Sequence, residues 1–541
     1  MDSSCSHHRF PALPSTPSNL CCLVVLTLCT LGCRYTGSVS DYVHNGFKVG
    51  PNYRKPAVAV EEDWIDGYDK RLLKELPRNN DWWAVFDDPK LTTLIERSYQ
   101  QNIPLREAGL RVLESRTELG ITVGSMFPQQ QEAVGEYSRI QISRSDLTNR
   151  PLDMIPRAFN RWSTGFDAAW ELDVWGRFRR SIESAEASLD ASVEEYDDIL
   201  VTLLAETAAT YVELRAAQER IRLAEANVKA QLGSLGIAES RYNSGTSDEL
   251  DVFQAKTNVR NTQSLIPEFK KRERKAIIRL CVLQGIPPQN LLPDLGEGPI
   301  PGVPNQVTVG IPADLLRRRP DIRRAEREVA AQSARIGVAA SDMLPHFAIR
   351  GSLNYNSESL SRLLASKSLA GGITPGFSWD LLNYGRLRNQ VLLEDAVFQQ
   401  RALNYQQTVL KASEDVERAI VSFLQDQQRV KLLSEAVAAN QQALKIAIDQ
   451  YRAGDRNYNQ IFTLQAFLVE EQDALALARQ SLATSLISIY KALGGGWQIR
   501  LSDFSEIAFA THELIEAPPE QPQAPEINLL PPVPPESDPV N

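Results

Sequence analysis

The chain has 541 residues, 23% charged and 43% hydrophobic, with a formal net charge of −10. That acidic balance argues against a nucleic-acid partner, because binding phosphates needs clustered Lys and Arg. No run of ~18 apolar residues occurs, so no helix is expected to span a bilayer, and a membrane location would require a closed β-barrel.

The first 33 residues read as an export signal. Arg9, with His7 and His8, precedes an apolar stretch from Leu20 to Leu31, followed by Gly32 and Cys33. The stretch is too short to span and has the length of a secretory h-region. Gly32-Cys33 resembles a bacterial lipobox, which makes Cys33 the expected lipidated N-terminus of the mature chain. Thr30 and Leu31 depart from the usual pattern, and ordinary signal cleavage nearby is the alternative. Five of the six cysteines lie in this segment and only Cys281 remains in the body, so no intramolecular disulfide can form there. Cys281 sits in an apolar helical context and is expected to be a small core residue.

The body is two copies of one unit. Trp170 to Arg177 (WELDVWGR) recurs as Trp379 to Arg386 (WDLLNYGR), 209 residues on (379 − 170). The same offset carries Tyr242 onto Tyr451, Gly245 onto Gly454, Phe253 onto Phe462 and Gly285 onto Gly494. Upstream, Gly120 and Met126-Phe127-Pro128 recur as Gly337 and Met343-Leu344-Pro345, at an offset of 217 (343 − 126). A repeat of this size organises the whole chain. It divides into a signal (1–32), an extended segment (33–88), a first repeat (89–290), a linker (291–312), a second repeat (313–500) and a C-terminal segment (501–541). Nine prolines lie in residues 518–541, so a disordered tail is expected from about residue 516.

Within each repeat, strands precede a long helix. Phe347, Ile349, Gly351, Leu353 and Tyr355 alternate with polar or small neighbours, and so do Ile373, Pro375, Phe377, Trp379 and Leu381. Phe166, Ala168, Trp170 and Leu172 do the same in the first repeat, with a weaker partner near Gln131–Ile142. About ten residues of alternation with aromatics near the ends is what a barrel strand facing lipid needs. A half-buried soluble hairpin is the alternative for any single strand. From Arg386 to Ala453 there is neither Gly nor Pro, which predicts a rod of about 100 Å. Its apolar positions step by 3 and 4 through Val409, Ala412, Val416, Ala419, Phe423, Val430, Leu433, Val437, Leu444, Ala447 and Tyr451, a coiled-coil spacing interrupted by Asp426 and Asn440. The first repeat shows the same spacing from Leu200 to Tyr242. Each rod ends in a turn, at Gly245 or Gly454, where a positive φ is expected. A second helix then returns, to about Gln284 in one repeat and Leu493 in the other.

Four strands cannot close a barrel, which needs at least ~8. Three chains would supply twelve strands and twelve rods or return helices, so the expectation is an oligomer whose barrel continues into a helical tube.

Here the residues resemble a known family. Val49-Gly50-Pro51-Asn52-Tyr53, Trp82-Trp83 to Leu94 (WWAVFDDPKLTTL) and Leu315 to Gly337 (LLRRRPDIRRAEREVAAQSARIG) are similar to the outer-membrane factors of tripartite efflux pumps, TolC-like and of the OprM/NodT lipoprotein branch. The resemblance covers about residues 47–497. It implies a homotrimer with a twelve-stranded outer-membrane barrel and a periplasmic α-helical barrel. It also implies docking of a periplasmic adaptor (membrane fusion protein) and an inner-membrane transporter of the RND class. The family's periplasmic gate maps onto Tyr451, Arg456 and Asp251, with Tyr242 as the repeat-equivalent tyrosine. Acidic residues often found on the second return helix are replaced by Gln460 and Thr463, so the gate is expected to rest more on Arg456 and Asp251. Solvated turn residues are the bland alternative for that pair. Arg317-Arg318-Arg319-Pro320-Asp321 is expected to be a helix start with its ion partner, not a binding patch. Trp82 and Trp83 are expected to be packing anchors.

An enzyme lacks its parts here. The five histidines are scattered, and no HExxH, GxSxG, P-loop or CxxC pattern appears. No cofactor or metal is expected. The expected function is a passive outer-membrane exit duct for small molecules. A duct for type I protein secretion, or a periplasmic coiled-coil adaptor, are the alternatives. An adaptor would lack the aromatic-ended strands ahead of each rod and would extract without detergent.

Overall fold

The computed structural model describes residues 39–75, 81–141 and 158–502. The signal segment, Cys33 and the proline-rich tail lie outside the described residues. Residues through Trp497 form one compact unit; the second unit begins at Gln498 and contains one described helical turn, Ile499–Ser502.

Eight helices and six strands carry the first unit's architecture. A short helix α1 (Val39–His44) and strand β1 (Leu72–Leu73) open it. Then come α2 (Pro89–Gln101), α3 (Ile103–Gly124), β2 (Gln130–Gln141), β3 (Ala158–Leu172), α4 (Arg177–Asn243) and α5 (Glu249–Leu283). After the short strand β4 (Val307–Thr308) follow α6 (Pro320–Ser341), β5 (His346–Ser357), β6 (Leu369–Ser378), α7 (Arg386–Ala453) and α8 (Asn459–Ala492). The rod expected from Arg386 to Ala453 has those limits, because Gly385 and Gly454 take φ of 84° and 88° where an L side chain is strained. The last expected strand is shorter than its alternation: β6 stops at Ser378 and leaves Trp379 to Leu381 outside the ladder.

The helices form one layer. α7 packs against α6 and α8, these pack against α4, and α4 packs against α3 and α5. The 67- and 68-residue rods each run beside two shorter helices placed end to end. Asn102 joins α3 to α5: its side chain accepts from Leu105 N at 2.9 Å and donates to Leu283 O at 2.8 Å. Arg319 does the same for α6 and α8, donating to Ala492 O at 3.0 Å. Glycine is required at both joints, since a Cβ on Gly285 would sit 2.4 Å from Gln101 O and one on Gly494 3.0 Å from Arg319 Cα. The two junctions are repeat copies of one solution to the open carbonyls at a helix end.

Polar interruptions of the apolar seams find partners across the layer, as buried polar groups generally do, although Asn440 Oδ1 is left without one among the described residues. Asp426 accepts from Ser481 and Ser485, both at 2.8 Å, and Asn440 donates to Glu471 at 2.9 Å. Arg319 pairs with Asp321 at 2.8 Å and Asp415 at 3.3 Å, which makes the arginine run a helix start. Trp82 and Trp83 are buried, with Trp82 stacked on Tyr490 at 5.5 Å. Cys281 is buried and free.

The Val49-Gly50-Pro51 segment is a strap across both repeats. Val49 N donates to Trp175 O at 3.0 Å, and Arg180 Nε donates to Val49 O at 3.1 Å. Gly50, at φ 84°, lies so close to α6 that a Cβ would stand 2.4 Å from Gly337 Cα. Two glycines facing each other let the strap touch helix backbone.

Candidate functional site

The four long strands make one antiparallel sheet in the order β2-β3-β5-β6. Its register sorts most side chains by polarity, leaving Arg139 and Asn160 on the apolar face and Val134 and Phe159 on the polar one. Phe166 lies opposite Leu353, Trp170 opposite Ile349, Leu172 opposite Phe347, and Phe347 opposite Phe377. Tyr137 lies opposite Trp162 with ring centroids 4.3 Å apart. These residues share one face, and Ile373 and Phe377 there are 80% and 70% exposed. Trp162 and Trp170 stand about 26 Å apart along β3, the height of an apolar band bordered by aromatic girdles. An exposed apolar surface of this kind marks contact with a membrane or a partner.

The opposite face is polar. It carries Glu132, Glu136, Arg161, Asp167, Glu171, His346, Arg350, Ser352, Asn354 and Thr374. Asn354 donates to Asp167 at 3.0 Å, and His346 Nδ1 lies 2.9 Å from Glu171, which also pairs with Arg177 at 3.2 Å. Charges gathered on one side and aromatics on the other fit a wall between water and lipid. β2 reads weakly in sequence because Gln131 and Arg139 fall on its apolar face. Among the described residues the outer edges of β2 and β6 have no strand partner. No helix of the described residues is long and apolar enough to cross a membrane.

At the far end of the rods, the two hairpin tips pack together. Tyr451, Tyr458, Ile461, Ala447, Ala238 and Val252 form a buried cluster. Tyr451 is 1% exposed and donates its hydroxyl to Asp251 Oδ2 at 3.1 Å. Its ring meets Tyr458 edge-on at 5.5 Å and lies under the Arg241 guanidinium at 4.6 Å. Arg241 also donates to the Tyr451 and Thr246 carbonyls. Burial pushes the Tyr451 hydroxyl above its ordinary pKa, and the neighbouring Asp251 carboxylate acts in the same direction. Tyr458 is raised chiefly by burial as well.

Of the residues expected at the tip, the structure joins Tyr451 and Asp251 and leaves the others apart. Arg456 is exposed and forms no ion pair among the described residues, so the expected Arg456–Asp251 pair is absent within one chain. It follows Gly454 in the turn, outside the buried cluster, and the cation at Tyr451 is Arg241 instead. Tyr242 is 43% exposed, although its repeat mate is buried. Gly245 and Gly454 take the expected positive φ, 68° and 88°. Sequence reading passed over Arg241 and Tyr458, yet both carry signals. Arg241 stands in the last turn of a helix, where cations bind open carbonyls. Tyr458, at the start of α8, begins that helix's own 3-and-4 spacing of buried residues, Ile461, Gln465 and Leu468.

The comparisons agree with this architecture. The family model described as "Outer membrane efflux protein" matches residues 94–285 and 311–495. Pyoverdine export outer membrane protein OpmQ of Pseudomonas putida is 30% identical over 421 residues, 77% of this chain and 88% of that protein. Nodulation protein T of Rhizobium leguminosarum bv. trifolii is 28% identical over 473 residues, 86% of this chain and 97% of that protein. The solved outer-membrane channel OprN matches with a TM-score of 0.76 at 30% identity, over 83% of this chain and 99% of that one.

Proposed function

The chain belongs to the outer membrane efflux protein family, and from that premise we propose that it is the outer-membrane channel of an efflux pump, a passive exit duct for small molecules. The observation that carries this is the sheet: one apolar aromatic face, one polar face and two open edges, continued by a layer of helices. Three copies close a twelve-stranded barrel with the polar faces inward, and the helical layers close a periplasmic tube below it. The tips close that tube at rest, held within each chain by Tyr451, Asp251 and Arg241. Arg456, exposed on the same turn, contributes between chains. A periplasmic adaptor and an inner-membrane transporter engage the tips.

Passage of solute along such a wall needs no bond making, which is why the reading is a duct and not an enzyme. Relatives of comparable similarity carry names for pyoverdine export, nodulation and toluene efflux. That spread favours a wall that leaves the choice of cargo to the transporter. Cys33, outside the described residues, is the proposed lipidation site. Mass spectrometry of the mature N-terminus tests it, and an unmodified terminus or cleavage elsewhere removes it.

The deciding experiment is planar-bilayer conductance of the detergent-extracted protein beside a native mass of the assembly. A trimer with discrete channels, mostly closed, is expected. A water-soluble, non-conducting protein would overturn the duct.

A further inference from the structure

The two helical hairpins, α4 with α5 and α7 with α8, meet chiefly along α4 and α8. The second hairpin is apolar inside, where Val437 of α7 packs with Leu468 and Leu475 of α8. Above the tip cluster, the seam between the hairpins is polar instead. Arg220, Asn227 and Ser234 stand seven residues apart on α4 and so share one face of the rod. Each meets a polar group on α8. Arg220 donates twice to Asp473, from Nε at 2.5 Å and from Nη2 at 2.9 Å. Asn227 donates to Gln472 at 2.7 Å, and Ser234 accepts from Gln465 at 2.8 Å. Asn258 of α5 adds bonds to Phe462 O at 2.9 Å and to Gln465 at 3.4 Å. The next step of seven on α4 is Arg241, the cation at the tip.

We propose that Arg220 is a stop. Once the tip is released, the hairpins part along this polar seam from the tip upward, and the Arg220–Asp473 clasp ends the parting and so sets how wide the open end becomes. The proposal rests on the duct reading and concerns the extent of opening, not its trigger.

The argument is one of solvation. A polar pair that separates into water exchanges its hydrogen bond for others, so little free energy is lost. Parting an apolar seam exposes side chains with no such exchange. The second hairpin therefore moves as a unit, and the seam between the hairpins is the one that yields. Gln231, buried on the same stripe of α4, points the same way: its Oε1 has no partner among the described residues, and water would supply one.

The clasp differs in kind from the pairs below it. The Arg220 side chain is 7% exposed, its pair with Asp473 is bidentate, and its guanidinium lies 4.0 Å from the centroid of the buried Phe269 ring. Phe269 is on α5, in the hairpin of Arg220 itself. If α8 withdrew Asp473, the guanidinium would stay against that ring with its charge unpaired, which is the costly way to break an ion pair. The clasp stands 23 residues (243 − 220) from the end of α4, about 35 Å from the tip. Above it the buried residues of α4 include Leu204, Leu214 and Ala217, and an apolar packing resists wetting.

Thiol labelling locates the stop, in a Cys281→Ser background whose own labelling sets the zero. Ser234→Cys probes the seam below the clasp and Ala217→Cys the rod above it; both positions are buried. The sample is purified trimer, the reagent a charged maleimide, and the tip is released by Tyr451→Phe combined with Arg241→Ala. Release is expected to speed labelling of Ser234→Cys at least about tenfold, since labelling follows the open population, and to leave Ala217→Cys unchanged. Adding Asp473→Asn is expected to extend labelling to Ala217→Cys by a similar factor and to raise the conductance of the open channel. With the tip intact, Asp473→Asn is expected to change neither probe. Labelling of Ala217→Cys at the rate of Ser234→Cys while Asp473 is present overturns the stop. Labelling of Ala217→Cys in Asp473→Asn with an intact tip reduces the clasp to ordinary packing and overturns it too. A protected Ser234→Cys in channels that open overturns the polar seam, and a released tip that stays closed removes the proposal together with the gate. A monomeric, non-conducting wild type sinks the duct reading itself, whereas any of the other results in a conducting trimer leaves that reading standing.

Discussion

Removing one hydroxyl from the rod tip should open the channel. Tyr451→Phe deletes the bond to Asp251 but keeps the ring against Tyr458 and beneath Arg241. A hydrogen bond to a charged acceptor contributes about 1.5–3 kcal/mol when well buried. Asp251 is only half-buried, so about 1 kcal/mol per chain is the reasonable figure here. If the three tips part together, the closed state loses about 3 kcal/mol, which shifts the closed-to-open ratio roughly 100-fold. The assay is the open fraction of single channels in a planar bilayer, with native mass confirming the trimer. Asp251→Asn should raise the open fraction similarly, and Tyr451→Phe should add little in that background, because both remove one interaction. An open fraction within threefold of wild type in an intact Tyr451→Phe trimer would refute the gate. Full additivity of the two variants would show that the hydroxyl acts through some other group.

Other perturbations probe neighbouring parts of the same structure. Tyr451 titrates above its ordinary value of 10.0, so its contribution to tip stability is complete below that pH and is lost as the pH rises through the higher folded value. Closure is therefore expected to hold through pH ~9 and fail above ~10, and a profile unchanged in Tyr451→Phe would exclude this tyrosine as the cause. Arg241→Ala removes a cation over the ring and a donor to two carbonyls, and should raise the open fraction by roughly 10-fold per chain; Arg241→Lys should rescue only part, lacking the planar fork. Arg456→Ala is expected to raise the open fraction through loss of a contact between chains, and unchanged conductance would return Arg456 to the solvated surface. Gly50→Ala puts a Cβ into the Gly337 backbone at a positive φ, which should cost about 2–4 kcal/mol and show as a lower dissociation temperature of the assembly. A dissociation temperature equal to wild type would mean the strap is not clamped there.

What the sequence determined by itself is what depends on neighbours along the chain. The rod from Arg386 to Ala453, its seam, the turn glycines and the strand alternation are all local periodicities, bounded by residues whose backbone preferences are their own. The two-fold repeat was legible for the same reason, and with it the sites of the strands. Tertiary structure decided whatever distinguishes one repeat from the other. Tyr451 and Tyr242 hold equivalent places in sequence, yet one is buried among partners and the other stands in solvent. The carboxylate at the tip found a tyrosine within its own chain and an arginine from the end of the first rod nearby, not the turn arginine that the family pattern offered. The physical reason is common to both. A repeat specifies each unit's own folding, but burial and pairing depend on what lies across from it, and within one chain it is the second repeat's tip tyrosine that has the first repeat's Asp251 and Arg241 beside it.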